Sequence, residues 1–175
     1  MGSRVDAIVL NPTTQIVQRV SAKKFEDIYE GNRHRVFSLA FYMTDSEPEA
    51  EDVMTQTFCR AFRAHERPSA EQIDRALVSE LRETRAIGQL TLSEKPAENT
   101  QAIRGNTKRV DLERAVVALP ATERMIFLMH DVESYDHARI ARTLGITEEE
   151  SKSGLFRARL RMRELIAESK KNPAA

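Results

Sequence analysis

The sequence is poor in cysteine, in aromatic residues and in long apolar runs. Of its 175 residues, one is cysteine, none is tryptophan and 6% are aromatic. The single cysteine, Cys59, excludes an intrachain disulfide and fits a reducing compartment. No apolar run approaches the roughly 20 residues that span a bilayer, and the N-terminus has no signal-peptide pattern. These absences predict a cytoplasmic protein that is not inserted in a membrane.

Motifs that carry catalysis or hold a cofactor are also missing. The sequence has no P-loop, no dinucleotide fingerprint and no nucleophile elbow. Its four histidines and Cys59 do not fall at a metal-ligand spacing. Carboxylates scattered over helix surfaces do not make an acid–base pair without a defined geometry. We therefore predict no enzymatic activity, no cofactor and no bound metal.

The charge of the chain is balanced overall but unevenly distributed. Lysine and arginine number 27, aspartate and glutamate also number 27, and the formal net charge is zero. An acidic block at 45–52 contains no base, and a basic stretch at 152–163 contains no acid. Two patches of opposite sign suggest two different partners, although solvated helix faces would produce the same pattern.

Apolar residues recur at helical spacing through most of the chain, which predicts an all-α fold. In the N-terminal half, helices are expected at about 23–43 with a break at Gly31, at about 48–64, and at about 73–87 with Gly88 as a C-cap. Residues 1–20 lack a sustained period and are predicted to form a tail before a domain at 21–90. Residues 91–110 are polar and aperiodic, which is typical of a flexible linker.

Residues 111–170 have the pattern of a second small helical domain. Asp111 is expected to cap its first helix, and a second helix is expected from Thr122 to about His130. The predicted fold is therefore two small helical domains joined by a flexible linker.

A helix-turn-helix is predicted at the end of this second domain. Its first helix is expected at Tyr135–Leu144, with Gly145 in the left-handed C-cap position. Thr147 and Glu150 have the spacing of a capping box, so a last helix starts there and runs to about residue 168.

The last helix has the charge and register of a DNA-recognition helix. On the predicted register, Lys152, Ser153, Phe156 and Arg157 face outward in the half that reaches base edges in such motifs. Two of its residues allow alternative interpretations. Arg159 either contacts DNA or packs its stem on the core, and Phe156 either meets a thymine methyl group or belongs to the core.

Two segments resemble the extracytoplasmic-function class of bacterial sigma factors, the promoter-specificity subunits of RNA polymerase. Residues 45–62, DSEPEAEDVMTQTFCRAF, are similar to the second conserved region of that family. Residues 119–127, LPATERMIF, and the helix-turn-helix after them are similar to the fourth region. The resemblance implies that the chain binds core RNA polymerase, promoter DNA and an anti-sigma factor.

The resemblance also implies where these partners bind. The second region docks on the polymerase, which places contacts at Glu51, Asp52, Gln56 and Arg60. The fourth region reads the minus-thirty-five promoter element, which places DNA contacts at Lys152, Ser153, Phe156, Arg157, Arg159 and Arg163.

The chain departs from the family in two DNA-reading helices. The helix expected to read the minus-ten element has neither the family's tryptophan nor its asparagine, and it keeps Arg75, Arg82 and Arg85 as possible strand contacts. Its Glu80 and Glu83 would repel phosphates. In the recognition helix, Gly154 stands where the family has an arginine, which we interpret as the loss of a DNA contact.

Three functions are compatible with these patterns. The first is an alternative sigma factor that directs core polymerase to specific promoters. The second is a sigma-like interaction protein that binds an anti-sigma factor or the polymerase without melting DNA. The third is a plain helix-turn-helix regulator with an unrelated N-terminal domain, which would commonly be a dimer.

Overall fold

The structure is a computed structural model that describes residues 12–85, 87 and 109–171. Within these ranges the chain is α-helical, which confirms the predicted fold class. Gly88 and residues 91–108 of the predicted linker lie outside the described residues. The helices are α1 (Pro12–Thr44), α2 (Glu47–Ala64), α3 (Ala70–Thr84), α4 (Arg109–Val117), α5 (Ala121–Phe127), α6 (His137–Leu144) and α7 (Glu148–Lys171), and a π-helical turn (Leu128–Val132) extends α5.

Helix α1 is longer and more continuous than the sequence pattern predicted. It begins at Pro12, inside the predicted tail, and the break predicted at Gly31 is wrong. Local side-chain bonds support the helix around this glycine, since Asn32 Nδ2 donates to the Ile28 carbonyl at 2.8 Å and Arg33 pairs with Glu30 at 2.7 Å. Burial of Val36, Leu39, Ala40 and Met43 then offsets the helix-propensity cost of one glycine, which is about 1 kcal/mol.

Helix α2 follows its predicted bounds closely. Ser46 is its N-cap, Pro48 lies in its first turn, and Glu47 and Glu49 complement the helix dipole there. The predicted apolar stripe faces inward. Its buried members are Val53, Thr57, Phe58 and Ala61, and Met54 and Phe62 are half-buried.

Helix α3 begins and ends about three residues earlier than predicted. Ser69 and Gln72 form a capping box at its start, with bonds of 2.8 and 3.2 Å, and this signal was missed in the sequence. Its C-cap is Arg85, not Gly88. The inward face of α3 contains five apolar side chains and one carboxylate: Ile73, Ala76, Leu77, Val78, Leu81 and Asp74.

The helix-turn-helix agrees with its predicted signals. Gly145 has φ 68° and ψ 39°, the left-handed conformation expected of the C-cap. The Thr147–Glu150 capping box is present, with bonds of 2.7 and 3.1 Å. Tyr135, however, lies before α6, because the Asp136 side chain accepts from the Arg139 amide at 2.7 Å and caps the helix.

The sequence predicted that Asp111 caps the first helix of the C-terminal half, and this prediction is wrong. Helix α4 already begins at Arg109, and the Asp111 carboxylate accepts a hydrogen bond from Ser169 Oγ at 3.0 Å. This bond joins α4 to the end of α7.

The N-terminal and C-terminal halves pack against each other. Helix α3 contacts α6, and α1 contacts α4 and α5. Buried apolar side chains of both halves belong to one core cluster. Among the described helices, none is long and apolar enough to cross a membrane.

Two glycines give opposite stability predictions. A methyl group at either Gly31 or Gly145 would meet open space, but only Gly145 has a positive φ. Gly145→Ala should lower the free energy of unfolding by about 1 kcal/mol because of left-handed backbone strain. Gly31→Ala should raise it by about 0.5–1 kcal/mol because alanine favours a helix. Urea denaturation measures both, and equal effects of the same sign would contradict this assignment.

Candidate nucleic-acid interface

The predicted recognition helix presents its polar residues on one face. Leu155, Ala158 and Met162 are buried, as the predicted register required. Lys152 is exposed and pairs with Glu149 at 2.8 Å. The pKa of Lys152 is raised mainly by the hydrogen bond to Glu149, so this cation is charged at neutral pH. DNA phosphates would compete with Glu149 for it.

Other predicted contacts lie beside Lys152 on α7. Ser153, Phe156 and Arg157 are partly exposed, and Arg163 is partly exposed further along the helix. Phe156 is neither fully buried nor fully exposed, so its contact with a thymine methyl group stays a prediction.

Gly154 differs from its sequence-based interpretation. It is buried in the face of α7 that also buries Ser151 and Leu155. A residue at this position faces the protein rather than DNA, so the interpretation of Gly154 as a lost DNA contact is wrong.

Arg159 is held by the π-helical turn. Its Nε and Nη2 atoms donate to the two carboxylate oxygens of Asp131 at 3.0 and 2.6 Å. Burial opposes ionisation of Asp131, but the hydrogen bonds from Arg159 and His130 outweigh it and lower the pKa of the carboxyl. The DNA contact predicted for Arg159 would therefore require a bidentate ion pair to exchange for a phosphate.

Two of the three predicted minus-ten arginines make bonds inside the protein. Arg82 donates to the carbonyl oxygens of Leu144, at the end of α6, and Ile87. Arg85 donates to carbonyl oxygens at the end of α1 and pairs with Glu49 at 2.8 Å. Such positions suit arginine because a helix C-terminus carries partial negative charge.

Arg75, the third of these arginines, lies on the exposed side of α3. Its guanidinium pairs with Glu71 at 2.8 Å, one turn before it on the same helix. Of the three arginines, Arg75 is the one that pairs with an acid of its own helix at the protein surface.

The predicted polymerase face lies on α2. Glu51, Asp52 and Gln56 are exposed, as expected for residues outside the apolar stripe. Arg60 is also exposed and donates to Glu80 and Glu83 of α3, the latter at 2.7 Å. The pKa of Arg60 is raised, mainly by the Glu80 hydrogen bond. Arg60 thus offsets the negative charge of Glu80 and Glu83 on α3, which would otherwise repel DNA phosphates.

Asp74 is a buried carboxylate that the sequence analysis did not select. Its side chain has no exposed surface, and it accepts from Arg35 of α1 and, at 2.8 Å, from Arg139 of α6. Arg35 also donates to the Tyr135 hydroxyl at 2.8 Å, and the Arg139 guanidinium lies 3.5 Å from the Tyr135 ring centre. The sequence signal for this site was a single acidic residue among the apolar residues that recur along the buried face of α3.

A second ion pair joins the same two helices at the surface. Arg142 of α6 donates to both carboxylate oxygens of Glu71 at 3.1 and 3.3 Å. The pKa of Glu71 is lowered, mainly by this hydrogen bond. Two consecutive turns of α6 therefore each carry an arginine bound to an acid of α3.

Two histidines lie where the π-helical turn meets the helix-turn-helix. The rings of His130 and His137 stack with 4.8 Å between their centres. His130 Nδ1 lies 2.7 Å from Asp131, and His137 Nδ1 lies 2.9 Å from Ser151 Oγ. The pKa of His137 is lowered, first by burial and then by electrostatic repulsion from the neighbouring His130, Lys152 and Arg159 side chains. In the part of the chain that the structure describes, no group of His, Cys, Asp and Glu is arranged to hold a metal ion.

Comparisons with known proteins agree with this arrangement. Residues 109–162 match the model of the protein family described as Sigma-70, region 4. The fold is similar to that of the sigma factor RpoE from Bartonella quintana, solved in complex with the anti-sigma factor NepR. The TM-score is 0.62 at 19% identity, over 83% of this chain and 98% of that one. The family match confirms the resemblance predicted for the fourth region, and the fold similarity extends it over 83% of the chain.

The lowered pKa of His137 predicts a pH-dependent stability. Below about pH 6.5 the unfolded chain binds a proton at this residue more readily than the folded chain does, so stability falls as the pH falls. His137→Gln should reduce the loss of unfolding free energy between pH 7.5 and pH 5.5. His34→Gln, at an exposed position of α1, is the matched control. Identical pH slopes for all three proteins in urea denaturation would contradict the prediction.

Proposed function

We propose that this chain, which carries a sigma-70 region 4 domain on the fold of a sigma factor, is an alternative sigma factor. It binds core RNA polymerase and directs it to specific promoters. The observation that carries the proposal is the pairing of two surfaces in one chain. One is the exposed face of α2, formed by Glu51, Asp52, Gln56 and Arg60, and the other is the polar face of α7.

The two surfaces suit different partners. Glu51 and Asp52 are adjacent exposed carboxylates, which can be steered to a basic surface of the polymerase. Lys152, Ser153 and Arg157 lie in the N-terminal half of a recognition helix, which reaches base edges in the major groove. Two contacts on one chain raise the effective concentration of each for its target.

An anti-sigma factor is a further proposed partner. The solved sigma factor that this chain resembles is bound to one, and the similarity covers 98% of that chain. The same exposed α2 face and the surfaces of the second half would be available to such a partner.

A sigma-like interaction protein that does not melt DNA is the second candidate. Its support is the state of α3, where Arg82 and Arg85 bind carbonyl oxygens of the protein and Glu80 and Glu83 add negative charge. Reactivity of promoter thymines to permanganate, measured with the reconstituted holoenzyme, separates the two candidates. Open DNA supports the sigma factor, and binding without open DNA supports the second candidate.

Charge reversal on the α2 face should weaken binding to the polymerase. Asp52→Lys should lower the affinity for core enzyme by about tenfold, since it places a like charge against a basic surface. Glu26→Lys changes the net charge equally at an exposed position of α1 and should have little effect. Fluorescence anisotropy of labelled protein titrated with core enzyme measures both affinities. Equal losses for the two variants would contradict the assigned face.

The salt dependence of promoter binding tests the role of Arg157. If its side chain meets a phosphate, Arg157→Ala should weaken holoenzyme binding to all promoter sequences and reduce the slope of log K against log salt by about 1. If it reads a base, the loss should depend on one base pair, by about 1–3 kcal/mol. If Arg157→Ala leaves the affinity unchanged in both tests, Arg157 is not part of the DNA interface.

A further inference from the structure

Two histidine rings stack where the π-helical turn meets the start of α6. The ring centres of His130 and His137 are 4.8 Å apart, and both residues are half-buried. His137 is the first residue of α6, and its Nδ1 atom lies 2.9 Å from Ser151 Oγ, near the start of α7. His137 therefore joins the two helices of the helix-turn-helix.

The recognition helix presents two cations beside these rings. Lys152 and Arg159 are seven residues apart, close to two turns of α7, so they lie on one face of that helix. Both side chains act electrostatically on His137. Lys152 is also exposed and is one of the predicted DNA contacts. His137 therefore lies next to the surface that would meet DNA.

Two acids near the rings are already engaged by other side chains. Asp131 of the π-helical turn accepts bonds from Arg159 at 3.0 and 2.6 Å, and its Oδ1 atom lies 2.7 Å from His130 Nδ1. Glu149 of α7 pairs with Lys152 at 2.8 Å. Neither carboxylate is therefore committed to His137, whose hydrogen bond is to a neutral hydroxyl.

The remaining charges leave protonation of His137 unfavourable in the free chain. Glu148 of α7 favours the proton, but its effect is smaller than those of burial and of the neighbouring lysine and arginine, which lower the pKa of His137. Glu71 and Asp74, the acids of α3 that contact α6, bind arginines. A new negative charge beside the ring would reverse this balance.

DNA phosphates would supply such a charge. In a helix-turn-helix the second helix enters the major groove and the first crosses the backbone. His137 begins the first helix and lies beside Lys152 of the second, so a phosphate that binds Lys152 would come close to the ring. A protonated imidazole carries a hydrogen on both nitrogens. Nδ1 can then stay bonded to Ser151 Oγ while Nε2 donates to the phosphate.

We propose that DNA binding by the recognition helix is coupled to the uptake of one proton from solvent by His137, which then donates to a DNA phosphate. The inference rests on the proposed function, because it assumes that the helix-turn-helix binds promoter DNA. Coupling is reciprocal, so a group that gains a proton on binding makes the affinity rise as the pH falls. Promoter affinity is therefore sensitive to pH in the range where histidine titrates.

The sign of the effect follows from the two states of the ring. The gain in affinity begins as the pH falls through the pKa of His137 in the complex, which the phosphate raises. It is complete below the pKa of His137 in the free chain, which burial and the neighbouring cations lower. Between these two values, each DNA-binding event takes up a proton.

The test is the binding of the full chain to a labelled duplex of random sequence at low salt, because a phosphate contact does not depend on sequence. Fluorescence anisotropy gives the affinity at pH 7.5 and pH 6.0 for the unsubstituted chain, His137→Gln and His34→Gln. His34 is an exposed histidine of α1, so its variant loses an equivalent titratable group away from the helix-turn-helix. Circular dichroism at both pH values verifies that each protein is folded.

The unsubstituted chain and His34→Gln should each bind the duplex about fivefold more tightly at pH 6.0 than at pH 7.5. His137→Gln should gain less than about twofold, because it cannot take up the proton. The same pH dependence in all three proteins, or no measurable binding of the duplex by the unsubstituted chain, would overturn the inference.

A nuclear magnetic resonance titration keeps the inference testable if His137→Gln does not fold. The ring signals of His137 and His34 are followed against pH in the unsubstituted chain, with and without the duplex. The pKa of His137 should be higher in the complex, and that of His34 should not change. A pKa of His137 that is the same in both states would overturn the inference.

The outcome is separable from that of the proposed function. If the holoenzyme transcribes but DNA binding shows no dependence on His137 protonation, the proton coupling is wrong and the sigma-factor role stands. If the coupling is measured but the chain does not bind core enzyme, the coupling stands and the sigma-factor role is wrong.

Discussion

The arrangement of the two halves depends on one buried carboxylate. Asp74 has no exposed surface, and a buried ionised group without partners costs several kcal/mol or more. Its partners come from both halves of the chain, Arg35 from α1 and Arg139 from α6. Tyr135, which precedes α6, contacts both arginines. The positions of α1, α3 and α6 are therefore coupled through a single charge.

Arginines extend this coupling to the ends of helices. Arg124 of α5 donates to the carbonyl oxygens of Tyr42 and Met43, at the end of α1, both at 3.2 Å. Arg82 and Arg85 act in the same way at the ends of α6 and α1. Arginines of this chain thus stabilise the packing of its helices at their C-terminal ends, where the helix dipole favours a positive charge.

Local signals predicted the helices, and contacts distant in sequence could not be predicted in this way. The stripe of α2, Gly145 and the Thr147–Glu150 box act within a few residues, so their periods and spacings are visible in the sequence. The continuity of α1 through Gly31 was missed because it depends on burial further along the helix, at Val36, Leu39, Ala40 and Met43. The start of α3 was missed because the capping box at Ser69 was not recognised. The contacts of Asp74 join residues 39 and 65 positions apart, and no local period encodes such a pairing. Burial of Gly154 also depends on how α7 packs, which its residue type alone does not reveal.

Asp74 and its two arginine partners hold the two halves of the described chain together. Single-molecule energy transfer tests this coupling, with dyes on Glu26→Cys of α1 and Glu168→Cys of α7 in a chain whose exposed Cys59 is replaced by serine. One high-transfer population is predicted for this chain, and a population of lower transfer efficiency for its Asp74→Asn variant. The same transfer efficiency in both proteins would contradict the coupling.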